Sequence, residues 1–237
     1  MHANTHETRR LDAGEERRRR RWQMIRRLLQ TVGWGVMLLL ALVVVAYAGF
    51  VLVTGAFPAP LRPALAVHHV ALSAHIVGGI VALAIAPLQL VPRLRRRGAA
   101  AHRWLGRAAM LGMLVGGLGG LAMAAVAYGN LVSRLGFGTM ALGWLTTAWL
   151  GYWAIRTKQV AAHRRWMLRN IALTLAAVTL RLWLPLLLKV GHLPFDTAYP
   201  LVAWLCWVPN LLIAEALVQR WPRPSGGRLA HSGPATT

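Results

Sequence analysis

Residues 28–61 read LLQTVGWGVMLLLALVVVAYAGFVLVTGAFPAPL, without one charged side chain. The hydrocarbon core of a bilayer, about 30 Å thick, is crossed by about 20 apolar residues in helical form. This run is longer than that. Two more charge-free runs follow, Ala108–Ser133 and Leu135–Ile155. In lipid only helices or closed barrels satisfy their own backbone groups. The apolar stretches are continuous rather than alternating, which selects helices. Six segments reach the required length: Leu28–Val53, Val70–Val91, Ala108–Tyr128, Gly136–Ile155, Met167–Leu188 and Leu201–Val218. The expected fold is all-α, an integral membrane bundle of six transmembrane helices.

Composition points the same way. The 237 residues are 57% hydrophobic and 14% charged, against about 25% charged in soluble domains. Too few charges remain to cover a water-exposed surface, so an ordinary soluble enzyme is excluded. Cys206 is the single cysteine, which excludes an internal disulfide and a multi-cysteine metal site.

The 27 basic residues set the orientation. Nine arginines precede the first span. Arg93, Arg95, Arg96, Arg97, Arg103 and Arg107 follow the second, Arg156, Lys158, Arg164, Arg165 and Arg169 follow the fourth, and Arg220, Arg223 and Arg228 end the chain. The three alternate loops hold only Arg62, Arg134 and Lys189. Positive loops stay in the cytoplasm, so both termini are expected there, in a bacterial cytoplasmic membrane. A net charge of +21 also raises nucleic acid as a partner. Each basic cluster abuts an apolar span, however, so anionic lipid headgroups are the expected partner and nucleic acid is not. Trp22, Trp104, Trp166 and Trp221 fall at the same boundary, as in an aromatic belt. The first span is longer than a signal-peptide core and reads as an uncleaved anchor. Residues 1–27 read as a disordered Arg-rich arm, 28–220 as one transmembrane domain, and 221–237 as a disordered tail.

Polar groups inside spans are functional candidates. In the second span His75, Gly79, Ala82, Ala86 and Gln89 share one line at 100° per residue, with Gly78 at its edge. Close helix packing and a slot for a flat cofactor both fit this face. In the fifth span His163, Asn170, Thr174, Ala177 and Arg181 form a second line. In the third, His102 heads a face with Gly106, Ala109, Gly116 and Gly120. Ala101-His102-Arg103-Trp104 returns as Ala162-His163-Arg164-Arg165-Trp166, read either as a duplicated helix pair or as interfacial composition. Depth sorts the polar groups into an outer layer, His75 and Arg181, and a cytoplasmic layer, Gln89, His102, His163, Asn170, Asn210 and Glu215. Arg181 needs water, carbonyls or an anion, unless it snorkels to the outer surface. Glu215 lies near the opposite end and cannot serve it. Two histidines on different helices of a bundle suit axial ligation of haem iron. His102 and His163 are the candidate pair, with Arg103, Arg107, Arg164 and Arg169 near the propionates. No Walker A, Gly-x-Ser-x-Gly or His-Glu-x-x-His motif is present, so hydrolytic and ATP-driven chemistry lack support. No catalytic residue is assigned.

Several of these residues sit in a recognisable order. His75-x-x-Gly-Gly, Ala-Pro-Leu-Gln at 86–89 and His102-Arg103-x-x-Gly106-Arg107 come first. His163-Arg164-Arg165-Trp166-Met167-x-Arg169-Asn170, Thr179-Leu180-Arg181, Trp204-x-x-Trp207-x-x-Asn210 and Glu215 follow. Over residues 65–218 this order resembles an uncharacterised bacterial family of predicted membrane proteins, domain of unknown function 2306. The resemblance implies an integral membrane protein and carries no activity. In layout it is similar to multi-helix b-type cytochromes, an analogy of fold.

The leading functional expectation is a haem b-binding electron-transfer protein. His102 and His163 would be axial ligands, His75 a ligand on the outer side and Arg181 a propionate partner, with a quinone or redox protein exchanging electrons. Two alternatives stand beside it. One is a transporter or lipid-binding protein whose cavity Arg181 lines. The other is a non-enzymatic assembly partner whose glycine faces dock other membrane proteins.

Overall fold

The computed structural model describes residues 3–92, 94 and 98–220, excepting the side chains of residues 3–14, 64 and 65. Helix α1, Ala3–Thr54, is followed by a short helix Arg62–Val67, then α2, His69–Gln89, α3, Ala99–Ala125, and α4, Leu131–Arg156. Helix α5 runs Val160–Thr174 and Ala176–Pro185 and ends in a wide π turn, Leu186–Val190. Helix α6 runs Phe195–Leu205 and Val208–Gln219. No strand occurs among the described residues. Consecutive long helices run antiparallel, as contacts between rising and falling residue numbers show: Gly78 with Gly116, Gln89 with His102, Gly151 with His163, Arg169 with Glu215.

Large apolar side chains such as Leu39, Leu114, Leu142 and Ile213 point outward and stay exposed. Alanine is the commonest buried side chain, joined by a few polar ones and by larger ones such as Met113, Trp144 and Leu173. Water does not tolerate such a surface and lipid does. Among the described residues, five helical segments, Glu15–Thr54, His69–Gln89, Ala99–Ala125, Val160–Val190 and Phe195–Gln219, are long and apolar enough to cross a membrane. The expected crossing at Gly136–Ile155 lies on α4, which is long enough at 26 residues but is not one of the five. Its Thr139, Thr146, Thr147, Tyr152 and three tryptophans lower its hydropathy. Of these, only Trp144 and Thr147 are buried, where α4 packs on α3, α5 and α6; the others are exposed.

The N-terminal arm departs from expectation. The backbone is helical from Ala3, continuous with the first span. At 1.5 Å per residue its 52 residues reach about 78 Å, more than twice the hydrocarbon thickness. Arg19 and Arg20 each face a glutamate one turn earlier, Glu15 at 3.6 Å and Glu16 at 3.7 Å. Such exposed pairs add a few tenths of a kcal/mol to a helix. The tail expected at 221–237 lies outside the described residues.

Two interruptions shape the bundle. Pro209 has no N–H for the carbonyl of Leu205, and its ring crowds that carbonyl, so α6 breaks at Cys206 and Trp207. The Cys206 carbonyl accepts from the Thr179 hydroxyl and the Asn210 amide instead. Helix α5 is interrupted at Leu175 without a proline. There Thr174 Oγ1 donates back to the Asn170 carbonyl at 2.9 Å, a bond that bends helices. Between α4 and α5 Lys158 adopts φ 61°. The Gln159 N–H then bonds the Ala154 carbonyl at 2.8 Å, a Schellman closure that folds His163 back onto Gly151.

Candidate functional site: a cavity with one arginine and one histidine

The two ends of the bundle differ in charge. The ends of α3, α4, α5 and α6 carrying Arg103, Arg107, Arg156, Arg164, Arg165 and Arg220 form an arginine-rich end. The ends around Thr54, His69, Gly129 and Val190 form an arginine-poor end. In the arginine-poor half, a cavity of about 700 Å³ opens among α1 to α5, with Tyr199 of α6. Apolar and aromatic side chains make almost all of its wall. His75 and Arg181 are its strongly polar groups, and no carboxylate lines it.

The sequence put these two at one depth, and the structure brings both into this one cavity. His75 lies six residues into α2, about 9 Å from its start, and Arg181 eight residues before Lys189, about 12 Å. Arg181 Nη1 donates to the carbonyl of Ala177 at 2.7 Å. That carbonyl is one turn nearer the middle of the bundle, so the side chain bends inward and does not snorkel. Its guanidinium carbon stands 5.3 Å from the ring centre of Tyr47, over the ring face. Arg181 Nε is buried and has no hydrogen-bond partner among the described residues.

His75 Nδ1 lies 2.9 Å from the carbonyl oxygen of Gly116. A carbonyl only accepts, so Nδ1 carries the proton and Nε2 keeps its lone pair. Gly120 makes room for the ring: a Cβ there would sit 2.7 Å from Nδ1. His163 is held alike, with Nδ1 2.8 Å from the Gly151 carbonyl. These two histidines therefore share a tautomer, in opposite halves of the bundle.

Small residues of α2 and α3 form a packing seam. A Cβ on Gly78 would lie 2.4 Å from the Gly112 carbonyl oxygen and the Gly116 nitrogen, whereas one on Gly79 would meet nothing within 4 Å. The face thus centres on Gly78, not on Gly79 as the line drawn from His75 suggested. Gly78, Gly112 and Gly116 are thus occupied by packing within the chain, and Gly79 is not.

The other candidates tie helices together. Asn170 Nδ2 donates to the Trp144 carbonyl and to Thr147 Oγ1, both at 3.0 Å, and Trp144 Nε1 donates to Thr174 Oγ1 at 2.9 Å. Asn210 Nδ2 donates to the Ala172 carbonyl at 3.2 Å and to Thr179 Oγ1 at 3.1 Å. Arg169 forms an ion pair with Glu215, Nε at 2.8 Å and Nη2 at 2.7 Å from Oε2, while stacking 4.7 Å over Trp166. Arg107 stacks likewise over Trp104. Gln89 donates to the backbone carbonyl of His102 at 3.3 Å. Asn170, Asn210, Glu215 and Gln89 are therefore joints between helices.

The helices carrying His102 and His163 share α4 and α2 as neighbours, and the Val160–Thr174 segment packs on α6 as well. Among the described residues, no group of three or more His, Cys, Asp or Glu side chains is gathered for a metal ion.

Sequence reasoning missed the cavity and its wall from α1, with Tyr47 at the guanidinium. The available signal was a lone tyrosine within the apolar run at 28–61. It also missed the aromatic roof at the arginine-poor end, where Tyr128, Phe195 and Tyr199 meet at ring-centre distances of 5.2 to 5.9 Å and the Tyr128 hydroxyl donates to Asp196.

Comparison with curated proteins and with solved structures gives no match. The family described as "Predicted membrane protein (DUF2306)" matches residues 72–218, from the start of the α2 packing seam to the end of α6, with α1 outside it. The chain belongs to this DUF2306 family of predicted membrane proteins.

Proposed function

We propose that the protein is a six-span binding protein of the bacterial cytoplasmic membrane, with both termini and the arginine-rich end in the cytoplasm. Its cavity takes up an amphiphile, held by an acceptor oxygen paired with Arg181. The carrying observation is a part-buried guanidinium whose buried Nε has no hydrogen-bond partner among the described residues, in an apolar cavity that no described carboxylate lines. An intramembrane arginine is costly and calls for a partner. The interrupted helices α5 and α6 agree with this reading, because broken helices recur beside membrane binding sites. The charge asymmetry between the loops supports the orientation. Native mass spectrometry of purified protein tests the assignment. Arg181→Gln is expected to lose a co-purifying amphiphile that His102→Ala retains. Equal retention by both variants would overturn it.

A second reading, haem b and electron transfer, draws on the shared tautomer. His75 and His163 each offer a free Nε2, the state a haem ligand requires. Arg181 would take a propionate, while the pair His102 and His163 would need to converge on one iron. The test is a reduced-minus-oxidised visible spectrum of protein expressed with haem supplied. Absence of a Soret shift removes this reading.

A further inference from the structure

We infer that the amphiphile is a quinol, an isoprenoid or alkyl-tailed hydroquinone, and that the cavity prefers it to the oxidised quinone. This rests on the reading of the cavity as an Arg181-dependent binding site. Beside the phenols of Tyr47, Tyr128 and Tyr199 at its wall, the cavity holds one guanidinium donor and one imidazole acceptor. Arg181 can only donate. Because His75 Nδ1–H is committed to the Gly116 carbonyl at 2.9 Å, the neutral ring presents Nε2 as an acceptor. A carboxylate or phosphodiester offers acceptors alone and would set its oxygens against the Nε2 lone pair. A quinone has the same fault, since both its oxygens accept. A quinol has what the pair needs: one oxygen accepts from Arg181 and a hydroxyl donates to His75 Nε2.

Position and walls agree. His75 and Arg181 lie about 9 and 12 Å inside the arginine-poor end of their helices, below the level of phospholipid headgroups, in the layer where a tailed quinol dissolves. Tyr47, Phe137, Trp144 and Tyr199 supply aromatic surfaces for a flat ring, and Val44 and Met140 supply apolar wall. A volume of about 700 Å³ falls within the range of small-molecule sites.

Isothermal titration calorimetry on the full chain in detergent, under argon, tests this with decylubiquinol, decylubiquinone and dodecanoate. The quinol is expected to bind at least tenfold tighter than the quinone. His75→Leu is expected to erase that preference, and Arg181→Gln to weaken both forms at least tenfold. His75→Gln keeps an N–H for Gly116 and an acceptor oxygen, so it should retain the preference. Equal or tighter quinone binding to the unsubstituted protein overturns the inference whether or not His75→Leu folds, and so does a preference that survives His75→Leu. Arg181-dependent binding of dodecanoate with neither quinone form bound sinks the quinol and leaves the amphiphile site standing. Binding of none of the three sinks both.

Discussion

At the arginine-rich end Arg169 meets Glu215 through two nitrogens, at 2.8 and 2.7 Å. Twelve residues further along the same helix, Arg181 has only the carbonyl of Ala177 and the face of Tyr47. One residue type on one helix thus stands in two conditions. In the arginine-rich half Asn170, Asn210 and Arg169 all reach partners on neighbouring helices. In the arginine-poor half a cavity separates the helices, and its arginine and histidine keep unused capacity. The difference teaches where to look for function. A polar group bonded across helices is part of the frame, and one that faces a cavity is available for a ligand.

The seam that holds both halves together gives the sharpest way to break the comparison. Gly78→Ala would drive a methyl to 2.4 Å from backbone atoms of Gly112 and Gly116, and backbone cannot swing aside as a side chain can. Helices α2 and α3 must separate, at a cost of about 3 kcal/mol. Gly79→Ala meets open space and should stay within about 0.5 kcal/mol of the original. Unfolding in mixed detergent measures both. Equal behaviour of the two variants would show that the seam lies elsewhere.

Arg181→Leu should separate frame from site by sign. It removes a buried charge without an anionic partner, so the ligand-free protein should gain about 2 kcal/mol while ligand binding is lost. Glu215→Gln does the reverse. It strips Arg169 of its carboxylate, and because the Glu215 side chain is 39% exposed solvent screens the loss to about 1 kcal/mol. Loss of stability in both variants would place Arg181 in the frame as well.

Much of this contrast was legible in the residues. Charge-free runs announced the helices, and depth along them put His75 and Arg181 in one layer and the remaining polar groups in the other. The failures have physical causes. Gly78 and Gly79 are adjacent, and a spacing of three or four from His75 is equally helical, so only the approach of α3 decides between them. The pairing of Arg169 with Glu215 joins residues 46 apart in sequence, beyond any local pattern. The cavity depends on how α1 leans on α2 and α5, and a uniformly apolar helix carries no mark of the face it turns inward. The low hydropathy of α4 comes from threonines and aromatic side chains that are mostly exposed, so a charge-free run and a hydropathy threshold rank this helix differently. The kink at Leu175 lacks the proline that announces such breaks.

Asn170→Ala probes the frame on a finer scale. It deletes the two bonds that tie α5 to Trp144 and Thr147 of α4. Interhelical hydrogen bonds in membranes are modest, so the expected loss is about 1 kcal/mol. The buried Asn170 Oδ1 already lacks a hydrogen-bond partner, and its removal offsets part of the loss. The quinol preference should not change, since the bonds lie away from His75 and Arg181. A loss of ligand binding comparable to that of Arg181→Gln would join the two halves into one site.

The smallest effect concerns the roof of the cavity, in the loop between α3 and α4. The Tyr128 hydroxyl donates to Asp196, and this bond, with some desolvation and the nearby carboxylate charge, raises the phenol above its ordinary pKa, which is about 10. A group whose folded pKa is raised stabilises the fold fully below its unfolded value, and that contribution fades as pH rises through the folded value. The contact is therefore intact at neutral pH and released only in strong alkali. Titration of the phenolate absorbance, compared between the original chain and Asp196→Asn, should show Tyr128 ionising late and returned towards the ordinary range in the variant. Ligand affinity at neutral pH should change less than twofold in that variant. A larger change would make the roof part of the binding site, and the contrast between a filled half and an open one would extend to the loop that covers the cavity.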